Sequence, residues 1–538
     1  MPIIPPRALG DKGLVLDVPD FELEPNAFSN GSNVRFRDGA VRRASVLRQT
    51  RHFAVPNVRA AWGYAQATGY DRVFVGDDAG RVYEVNADSS TTYRSISGLV
   101  PASDPQPWTW AQLGDVVYAN KPSHVPIYFP GGPATEYATL PGWDATHRAR
   151  ALAVSRDQLF AINLTKGLAT FPNLVAISDY ALFGQPPATW NPTDPGVANE
   201  ITLAGARSPL VGGLDLDGTM IVYGERQSWR FVWTGDTSNA AQNLWVNEPL
   251  SVDRGMISPR GVAYLERKHY VFGTDDLYVH DGVTIASIAD GRVRRWVMRN
   301  LDLSKAERCF VVVDPASDEV IFAFPSKDGD AAYASVHGCN RAAIYSTRNG
   351  TWTLGDLRDI VSGDYGNFNP SLIWTTATMP WLTIGGSWGD LSDGFGRSVM
   401  FVGPRDTEAR ILALDEAAFG RVSFNAPSDE NPPAFVERTG YDIDELGQPL
   451  SAYKIISTIF PQVIVMASMT PVRLRIGASL YPQGPYTWSD WRTFYPAGDY
   501  RIDFNKGGRY LGLRLEVEPP VDFVFSGMDV DLKPGGRL

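Results

Sequence analysis

The sequence predicts an all-β chain, built as a β-propeller of six or seven degenerate four-stranded blades. Three observations support this: a meander of four short apolar runs, its recurrence along the chain, and the near absence of helical periodicity. The meander spans residues 261–288, where polar breaks at 266–268, 273–276 and 281–282 separate runs rich in β-branched and aromatic residues. Asp-Gly between such runs is a strong hairpin signal. Because one meander cannot bury both of its faces, it needs neighbours of its own kind.

Looser copies of this meander recur about every 45 to 60 residues, close to the period of propeller blades with loop insertions. The clearest copy is the hairpin at residues 72–85, which repeats an Asp-Asp-x-Gly break between two apolar runs. The last blade is expected over residues 357–425, where the pattern is irregular. Other copies are found at residues 114–129, 156–162, 219–232 and 319–345.

The domain organisation is predicted from the length of the chain and from changes in its composition along the sequence. A chain of 538 residues is long for one core. We expect an N-terminal extended arm over residues 1–57, the propeller over 58–425 and a C-terminal antiparallel β-sandwich-like domain over 426–538. An acidic, proline-bearing linker at 428–433 and six alternating runs after it mark the last boundary. The clearest helical candidate lies at 303–308. In the last domain, Trp488 and Trp491 are expected on or beside the core.

Charge and cysteine content narrow the function classes. The net charge of −11 argues against a general nucleic-acid-binding surface but does not exclude a conduit, because an acidic wall repels DNA and lets it slide without sticking. The two cysteines, Cys309 and Cys339, are expected to be reduced structural thiols. The sequence has no apolar run of membrane-spanning length and no signal-peptide pattern at its start, so we predict neither a span nor a leader.

No catalytic, cofactor or metal site is predicted. The six histidines are scattered, and His269 and His280 are expected to be strand-end residues. Asp390 with Asp393, and Asp215 with Asp217, fit turns better than cation sites. One partial sialidase box occurs at 346–352, with arginine in place of its aspartate, and it fits a turn. We therefore expect a chain that is not an enzyme.

A run of arginines stands out near the N-terminus. Six arginines lie between Arg35 and Arg51, with Asp38 the single acidic residue among them. Two interpretations stay open: an edge strand protected by charge, or an arm that docks on an acidic neighbouring subunit. The candidate assembly contacts are Arg35, Arg37, Arg42, Arg43 and Arg48.

The segment 24–39 (Glu-Pro-Asn-Ala-Phe-Ser-Asn-Gly-Ser-Asn-Val-Arg-Phe-Arg-Asp-Gly) resembles a known N-terminal signature. It is that of the tail nozzle proteins of short-tailed bacteriophages, also called tail hub or packaged-DNA stabilisation proteins. A Ser-Asp…Pro-x-x-Trp pattern within 175–192 resembles the same family, and residues 385–396 do not. Further similar segments are 220–235, 255–262, 507–516 and 525–532.

The resemblance implies a structural virion protein. Such a chain would form a homo-oligomeric ring, usually a hexamer, below the portal and adaptor of the phage tail. The ring would continue the DNA channel, retain the packaged genome, pass it out during ejection and carry tail fibres or spikes. The implied location is the virion tail, after synthesis in the host cytoplasm. DNA would pass through the lumen without specific binding. The candidate acidic channel-facing residues are Asp429, Glu430, Asp442, Asp444 and Glu445.

Two alternatives belong to other classes. The first is a propeller enzyme or glycan-binding module acting on host surface polysaccharide, for which 15 tryptophans would supply stacking surfaces. Most of these tryptophans sit within strand patterns, which favours a place in the core. The second is a cytosolic scaffolding propeller, which predicts Trp-Asp or kelch signatures that the chain lacks.

Overall fold

The chain folds into a propeller of seven sheets joined to a two-sheet sandwich. The computed structural model describes residues 9–65, 71–86, 89–131, 136–194, 196–236, 244–366, 398–405, 408–415, 432–442, 452–465, 470–518 and 522–537. Over these ranges the strands form seven four-stranded sheets, a six-stranded sheet, a five-stranded sheet and one two-stranded pairing. The predicted all-β propeller class is confirmed, with seven blades in the described part of the chain.

Each of the first six blades is an antiparallel meander, so strands that follow one another in the sequence are neighbours in the sheet. The second strand of a blade is often buried along its whole length, as in Val116–Asn120 and Glu319–Phe324, because adjacent blades cover both of its faces. The meander at 261–288 contains all four strands of blade 5.

The six meanders run in chain order. Blade 1 consists of Val58–Ala65, Asp71–Asp77, Val82–Val85 and Thr91–Tyr93. Blade 2 consists of Thr109–Leu113, Val116–Asn120, Ile127–Phe129 and Ala138–Thr139. Blade 3 consists of His147–Ser155, Gln158–Lys166, Ala169–Ile177 and Asn199–Thr202. Blade 4 consists of Leu210–Leu216, Thr219–Gly224, Ser228–Trp233 and Trp245–Ser251. Blade 5 consists of Val262–Leu265, Lys268–Phe272, Leu277–His280 and Ile285–Ser287. Blade 6 consists of Phe310–Asp314, Glu319–Phe324, Cys339–Ser346 and Trp352–Ile360.

Blade 7 is completed by a strand from the other end of the chain. Its first three strands are Ser362–Gly366, Ser398–Arg405 and Glu408–Asp415, and its outer strand is Val46–Phe53. The inner strand of blade 7 contacts that of blade 1, so the ring of sheets is closed. Residues 46–53, assigned to the arm from the sequence, therefore lie in the propeller. Residues 357–360, assigned to the last blade, lie in the outer strand of blade 6.

The C-terminal region is a sandwich of two sheets. Alternation along Val472–Ser479 turns Leu474 and Ile476 inward and Arg473 and Arg475 outward. The six-stranded sheet contains Asn30–Ser32, Ala434–Tyr441, Tyr510–Val517, Val472–Ser479, Thr487–Trp488 and Arg492–Phe494. The five-stranded sheet contains Ile502–Gly508, Ala452–Val465, Phe523–Arg537, Ala40–Arg43 and Val34–Arg37.

The N-terminal segment joins both parts of the molecule. Asn30–Ser32 pairs with Ala434–Tyr441 of the six-stranded sheet, and the hairpin of Val34–Arg37 and Ala40–Arg43 extends the five-stranded sheet. Gly13–Leu14 pairs in parallel with Ala27–Phe28. The segment predicted as an extended arm is therefore folded into the sandwich and the last blade over most of its described length.

Helices are few and short. The 3-10 helix Leu303–Arg308 lies where a helical turn was predicted, and Asp302 caps it by accepting a hydrogen bond from the Ser304 amide. The α-helix Arg294–Asn300 and the 3-10 helix Asp20–Glu22 were not predicted. Within the described ranges, none of these helices is long and apolar enough to cross a membrane.

One apolar core runs through both parts of the molecule. A single cluster of buried side chains includes Tyr270 and Phe322 of blades 5 and 6, Phe28 of the N-terminal segment, and Leu474 and Phe525 of the two sandwich sheets. Burial of apolar surface is the main favourable term in folding, so this shared core holds propeller and sandwich together as one unit.

Candidate functional site

Arg35, a predicted assembly contact, is buried between the sandwich and the propeller. Its Nε lies 2.5 Å from Oε1 of Glu319, and its Nη2 lies 3.0 Å from Oε2 of the same carboxylate. Nη2 also donates to Ser45 Oγ at 2.9 Å. Only 5% of the Arg35 side chain and 6% of the Glu319 side chain are exposed. This two-pronged geometry is the strong form of the arginine–carboxylate contact, and here it acts within one chain.

The other predicted arginines differ in environment. Arg43 is buried and donates from Nη2 to the Pro432 carbonyl at 2.9 Å. Burial lowers the pKa of Arg43 to about 10, opposed by Asp522. Arg42 is partly exposed and lies 3.9 Å from Asp38. Arg37 is half-buried on the same hairpin, and the Arg48 side chain lies outside the described atoms.

A polar network fastens the N-terminal segment to blade 6. Ser32 Oγ and Asn33 Nδ2 donate to Asp356 Oδ2 at 2.8 and 2.9 Å, and the Asp356 amide donates back to Asn33 Oδ1 at 2.9 Å. Arg341 donates to Asp356 Oδ1 at 2.8 Å and lies 2.6 Å from Asp328 Oδ2. Asn33 has φ +60°, a conformation that asparagine tolerates better than most residues. The segment 24–39 therefore contributes directly to the propeller–sandwich junction.

Of the predicted channel-facing acids, only Asp442 falls within the described ranges. It is half-buried just after the strand Ala434–Tyr441, and its carbonyl accepts a hydrogen bond from Lys454 Nζ. Asp429, Glu430, Asp444 and Glu445 lie outside the described residues.

The inner strands of blades 2 to 7, with the segment that leads into blade 5, line a partly open axial cavity of about 260 Å³. Two charged side chains, Arg260 and Asp364, line it together with Trp110, Phe310 and Tyr365. The described lining includes no histidine or cysteine and a single carboxylate. The cavity is therefore the place where charge and aromatic surface meet on the propeller axis.

Asp364 fastens three inner strands at this cavity. Its Oδ2 accepts from the Gly63 amide at 2.9 Å, its Oδ1 accepts from the Tyr365 amide at 2.8 Å, and the Trp110 side chain donates a further hydrogen bond. Burial nevertheless raises the pKa of the Asp364 carboxyl to about 6, because three hydrogen bonds and the more distant Arg260 only partly offset desolvation.

Arg260 makes the matching contacts from the other side. Its Nη1 donates to Ser362 Oγ at 2.7 Å and its Nη2 to the Val361 carbonyl at 2.8 Å. The guanidinium group lies 5.6 Å from the Trp110 ring centroid and 5.4 Å from that of Phe310. Burial lowers its pKa to about 10. These contacts join blades 2, 6 and 7 at the axis, beside the backbone hydrogen bond from the Val311 amide to the Arg260 carbonyl at 2.9 Å.

The outer face of the six-stranded sheet carries a stack of rings and guanidinium groups. Arg475 lies between Trp488 and Trp491, 4.5 Å from each ring centroid. Trp488 lies over Gly477 and Gly512, where a Cβ atom would come within 3.1 and 3.3 Å of the indole ring. Both tryptophans are half-buried on this face. The stack covers the sheet from outside, whereas these rings were expected on or beside the core.

A buried polar contact between blades 4 and 5 has no counterpart in the sequence expectations. Tyr223 lies between His269 and His280, and all three side chains are at most 2% exposed. His269 and His280, expected at strand ends, do lie in strands, and they are directly paired across the sheet. The sequence showed only that a histidine lies in each of two adjacent strands. It gave no indication that a tyrosine of the neighbouring blade contacts them.

Other predicted features concern metals, thiols and turns. Within the described ranges, no group of three or more His, Cys, Asp or Glu side chains is placed to hold a metal ion. Asp215 Oδ2 accepts from the Gly218 amide at 2.9 Å, as expected for a turn.

Cys309 and Cys339 are free, buried thiols whose pKa values burial raises. The partial sialidase box at 346–352 spans a turn of blade 6, and Asp390 and Asp393 lie outside the described residues.

Comparison with known proteins finds similarity of fold alone. No protein family matches the chain, and no curated protein is significantly similar in sequence. Among solved structures, the WD40 β-propeller domain of Doa1 superposes with a TM-score of 0.39 and 9% sequence identity, covering 70% of this chain and 99% of that domain. The assignment of seven blades rests on the sheet order itself.

Proposed function

We propose that this chain is a structural protein of a short-tailed bacteriophage, the nozzle ring of its tail. The observation that carries the proposal is the position of segment 24–39, which resembles the N-terminal signature of the family. This segment supplies Ser32, Asn33 and Arg35, which bond to Asp356 and Glu319 of blade 6. A motif whose side chains join two domains suits a part that transmits mechanical load better than a catalyst.

The other segments that resemble the family also have structural contacts. Trp190 is buried and packs edge-on against Trp143 at 4.8 Å between ring centroids. Asp179 accepts hydrogen bonds from the amides of Tyr180 and Val197, which fixes the long loop between them. Met256 is fully buried in the contact between blades 4 and 5. None of these contacts places a nucleophile beside a base, which supports an architectural role for the segments.

The proposed role is mechanical and depends on other copies of the chain. Copies would form a ring, by family resemblance a hexamer, below the portal and adaptor, and would carry tail fibres or spikes outside. The ring would continue the DNA channel, retain the packaged genome and release it during ejection. The net charge of −11 suits a wall that DNA slides past, because like charges on wall and phosphate backbone prevent sticking.

The experiment that tests this proposal is the mass and shape of the purified full-length chain. Light scattering and negative-stain imaging at several concentrations should give a closed ring with a central opening. Incubation with purified capsular or envelope polysaccharide should leave the polymer length unchanged. A monomer at all concentrations, or one that shortens the polysaccharide, would instead support a propeller enzyme or glycan-binding module acting on the host surface.

A further inference from the structure

Tyr223, His269 and His280 form a polar contact inside the seam between blades 4 and 5. The Tyr223 hydroxyl lies 2.7 Å from Nδ1 of His269 and 2.6 Å from Nε2 of His280. His269 Nε2 lies 3.0 Å from the Asp215 carbonyl, and the Gly282 amide lies 3.1 Å from Nδ1 of His280. The hydroxyl of a blade 4 strand therefore bridges two adjacent strands of blade 5.

The partners at the two ends fix the direction of every hydrogen bond. A carbonyl only accepts, so Nε2 of His269 carries a proton, and in the neutral ring that burial favours its Nδ1 accepts from the Tyr223 hydroxyl. An amide only donates, so Nδ1 of His280 accepts and its Nε2 donates to the Tyr223 oxygen. The result is a one-way chain of four hydrogen bonds from Gly282 to Asp215, in which both imidazoles are neutral.

Protonation of either ring breaks this chain. A second proton on His280 would point at the Gly282 N–H, placing two donors face to face. A second proton on His269 would point at Tyr223, whose own buried hydroxyl proton would then have no acceptor. A buried polar group left without a partner costs about 1–3 kcal/mol, and a charged one costs more.

Among the residues that the structure describes, no carboxylate side chain is hydrogen-bonded to either imidazole to compensate the added charge. Burial is the main cause that lowers the pKa of His269 to about 4 and that of His280 to about 3; for His280 the proximity of His269 adds to it. Asp215 is engaged with Ser155 and Gly218. The other ionisable groups that face the pair from neighbouring elements are Asp217, Tyr264, Arg267, Tyr278 and Asp281.

We infer that the seam between blades 4 and 5 is an acid-sensitive joint of the propeller, held closed by the neutral Tyr223–His269–His280 chain. In neutral solution the chain joins His269 and His280 of blade 5 to the Tyr223 hydroxyl and the Asp215 carbonyl of blade 4. In mild acid the open form, whose histidines can take up protons, gains population relative to the closed form. The joint is a property of the propeller and is independent of the proposed tail role.

Hydrogen exchange of the wild-type chain tests the joint directly. Between pH 7 and pH 5, after correction for the intrinsic exchange rate, amides of Thr219–Gly224, Lys268–Phe272 and Leu277–His280 should lose at least tenfold more protection than those of Val472–Ser479. Equal loss in both regions, or no loss at the seam, would overturn the inference. This measurement needs no variant and no assembled ring.

Variants then assign the effect to the two imidazoles. Two protons taken up on opening make the opening constant rise by up to about a hundredfold for each unit that the pH falls below the ordinary histidine pKa of about 6.5, and one proton by up to about tenfold. Replacing His280 with Asn, which keeps an acceptor for Gly282, should reduce the pH dependence by about tenfold per pH unit. The matched control is His337→Gln, because His337 is exposed. A pH dependence unchanged by His280→Asn, or reduced equally by His337→Gln, would contradict the assignment.

Discussion

Arg35 and Glu319 form a buried two-pronged ion pair across 284 positions of sequence, with contacts of 2.5 and 3.0 Å. Removing one member of such a pair leaves a buried charge uncompensated. Arg35→Met should therefore lower the free energy of unfolding by about 3–5 kcal/mol. The shift of the urea denaturation midpoint measures this loss.

Arg42→Met is the matched control for that experiment. Arg42 lies 3.9 Å from Asp38, and 41% and 60% of the two side chains are exposed. Its loss should cost less than about 1 kcal/mol. The double variant Arg35→Met with Glu319→Leu should recover most of the loss, since no charge is left buried. A double variant as unstable as Arg35→Met alone would show that the ion pair is not the cause.

The outer strand of blade 7 offers a second prediction. Leu47 is 6% exposed and packs with Phe401 and Leu412 of the same blade. Leu47→Ala should lower the unfolding free energy by about 2–5 kcal/mol, because it removes buried methyl groups and leaves a cavity. Thermal unfolding checks the size of the change. Val100→Ala, at a position 79% exposed, should stay within about 0.5 kcal/mol of the wild type. Equal effects of the two replacements would show that Leu47 does not hold the outer strand in blade 7.

Asp364 should make stability fall as the pH rises through about 6. Burial raises its pKa in the folded chain from 3.8 to about 6, so the folded state holds this proton more tightly than the unfolded state. The resulting stabilisation is complete below the unfolded pKa and is lost as the pH rises through the folded one. Because a tenfold change in proton affinity corresponds to about 1.4 kcal/mol, the loss from this group is roughly 3 kcal/mol.

Asp364→Asn removes this titration. The melting temperature of the variant minus that of the wild type should therefore increase from pH 4 to pH 8. Loss of the hydrogen-bond acceptor adds a destabilisation that is the same at every pH and does not change this trend. Asp490→Asn, at an exposed position, should show the same offset at every pH. The histidine pair contributes with the opposite sign, so only the difference between variant and wild type is informative. A constant offset for Asp364→Asn would contradict the prediction.

The close packing of Trp488 over Gly477 gives a prediction for the sandwich. A Cβ at Gly477 would lie 3.1 Å from the indole ring, so Gly477→Val must displace Trp488 from Arg475. Overpacking of this kind costs about 1–3 kcal/mol. A red shift of tryptophan fluorescence should accompany the loss of stability. Gly498→Val is the control, because a Cβ there meets nothing within 4 Å. An unshifted emission spectrum for Gly477→Val would show that the ring keeps its place.

Local sequence signals were enough to predict the turns between the strands of a blade. The break at Asp281-Gly282 marked a real turn, where Gly282 has φ +88°. The Asp-Asp-x-Gly break at residues 77–80 likewise connects the second and third strands of blade 1. Such turns depend on the conformational preferences of a few adjacent residues, so they can be predicted without knowledge of the tertiary structure.

Contacts between distant segments could not be predicted in this way. The sequence shows that Arg35 is charged, but its burial depends on Glu319, which lies in blade 6 of the propeller. Val46–Phe53 is mostly polar, as an edge strand protected by charge would be, and nothing local indicates that it pairs with Glu408–Asp415. The Tyr223 contact has the same character, because its histidine partners lie in the next blade. These pairings are set by tertiary packing.

The strand Val46–Phe53 imposes an order on the synthesis of the molecule. It leaves the ribosome before any blade exists, whereas its partner Glu408–Asp415 belongs to the last blade made. At about 5–20 residues per second, the first strand waits roughly 20 to 70 seconds for the second. During that time its hydrogen-bonding edge is available to other nascent chains on the same messenger. Closure within one chain then competes with exchange of this strand between neighbours, and wider spacing of the ribosomes on the messenger favours closure.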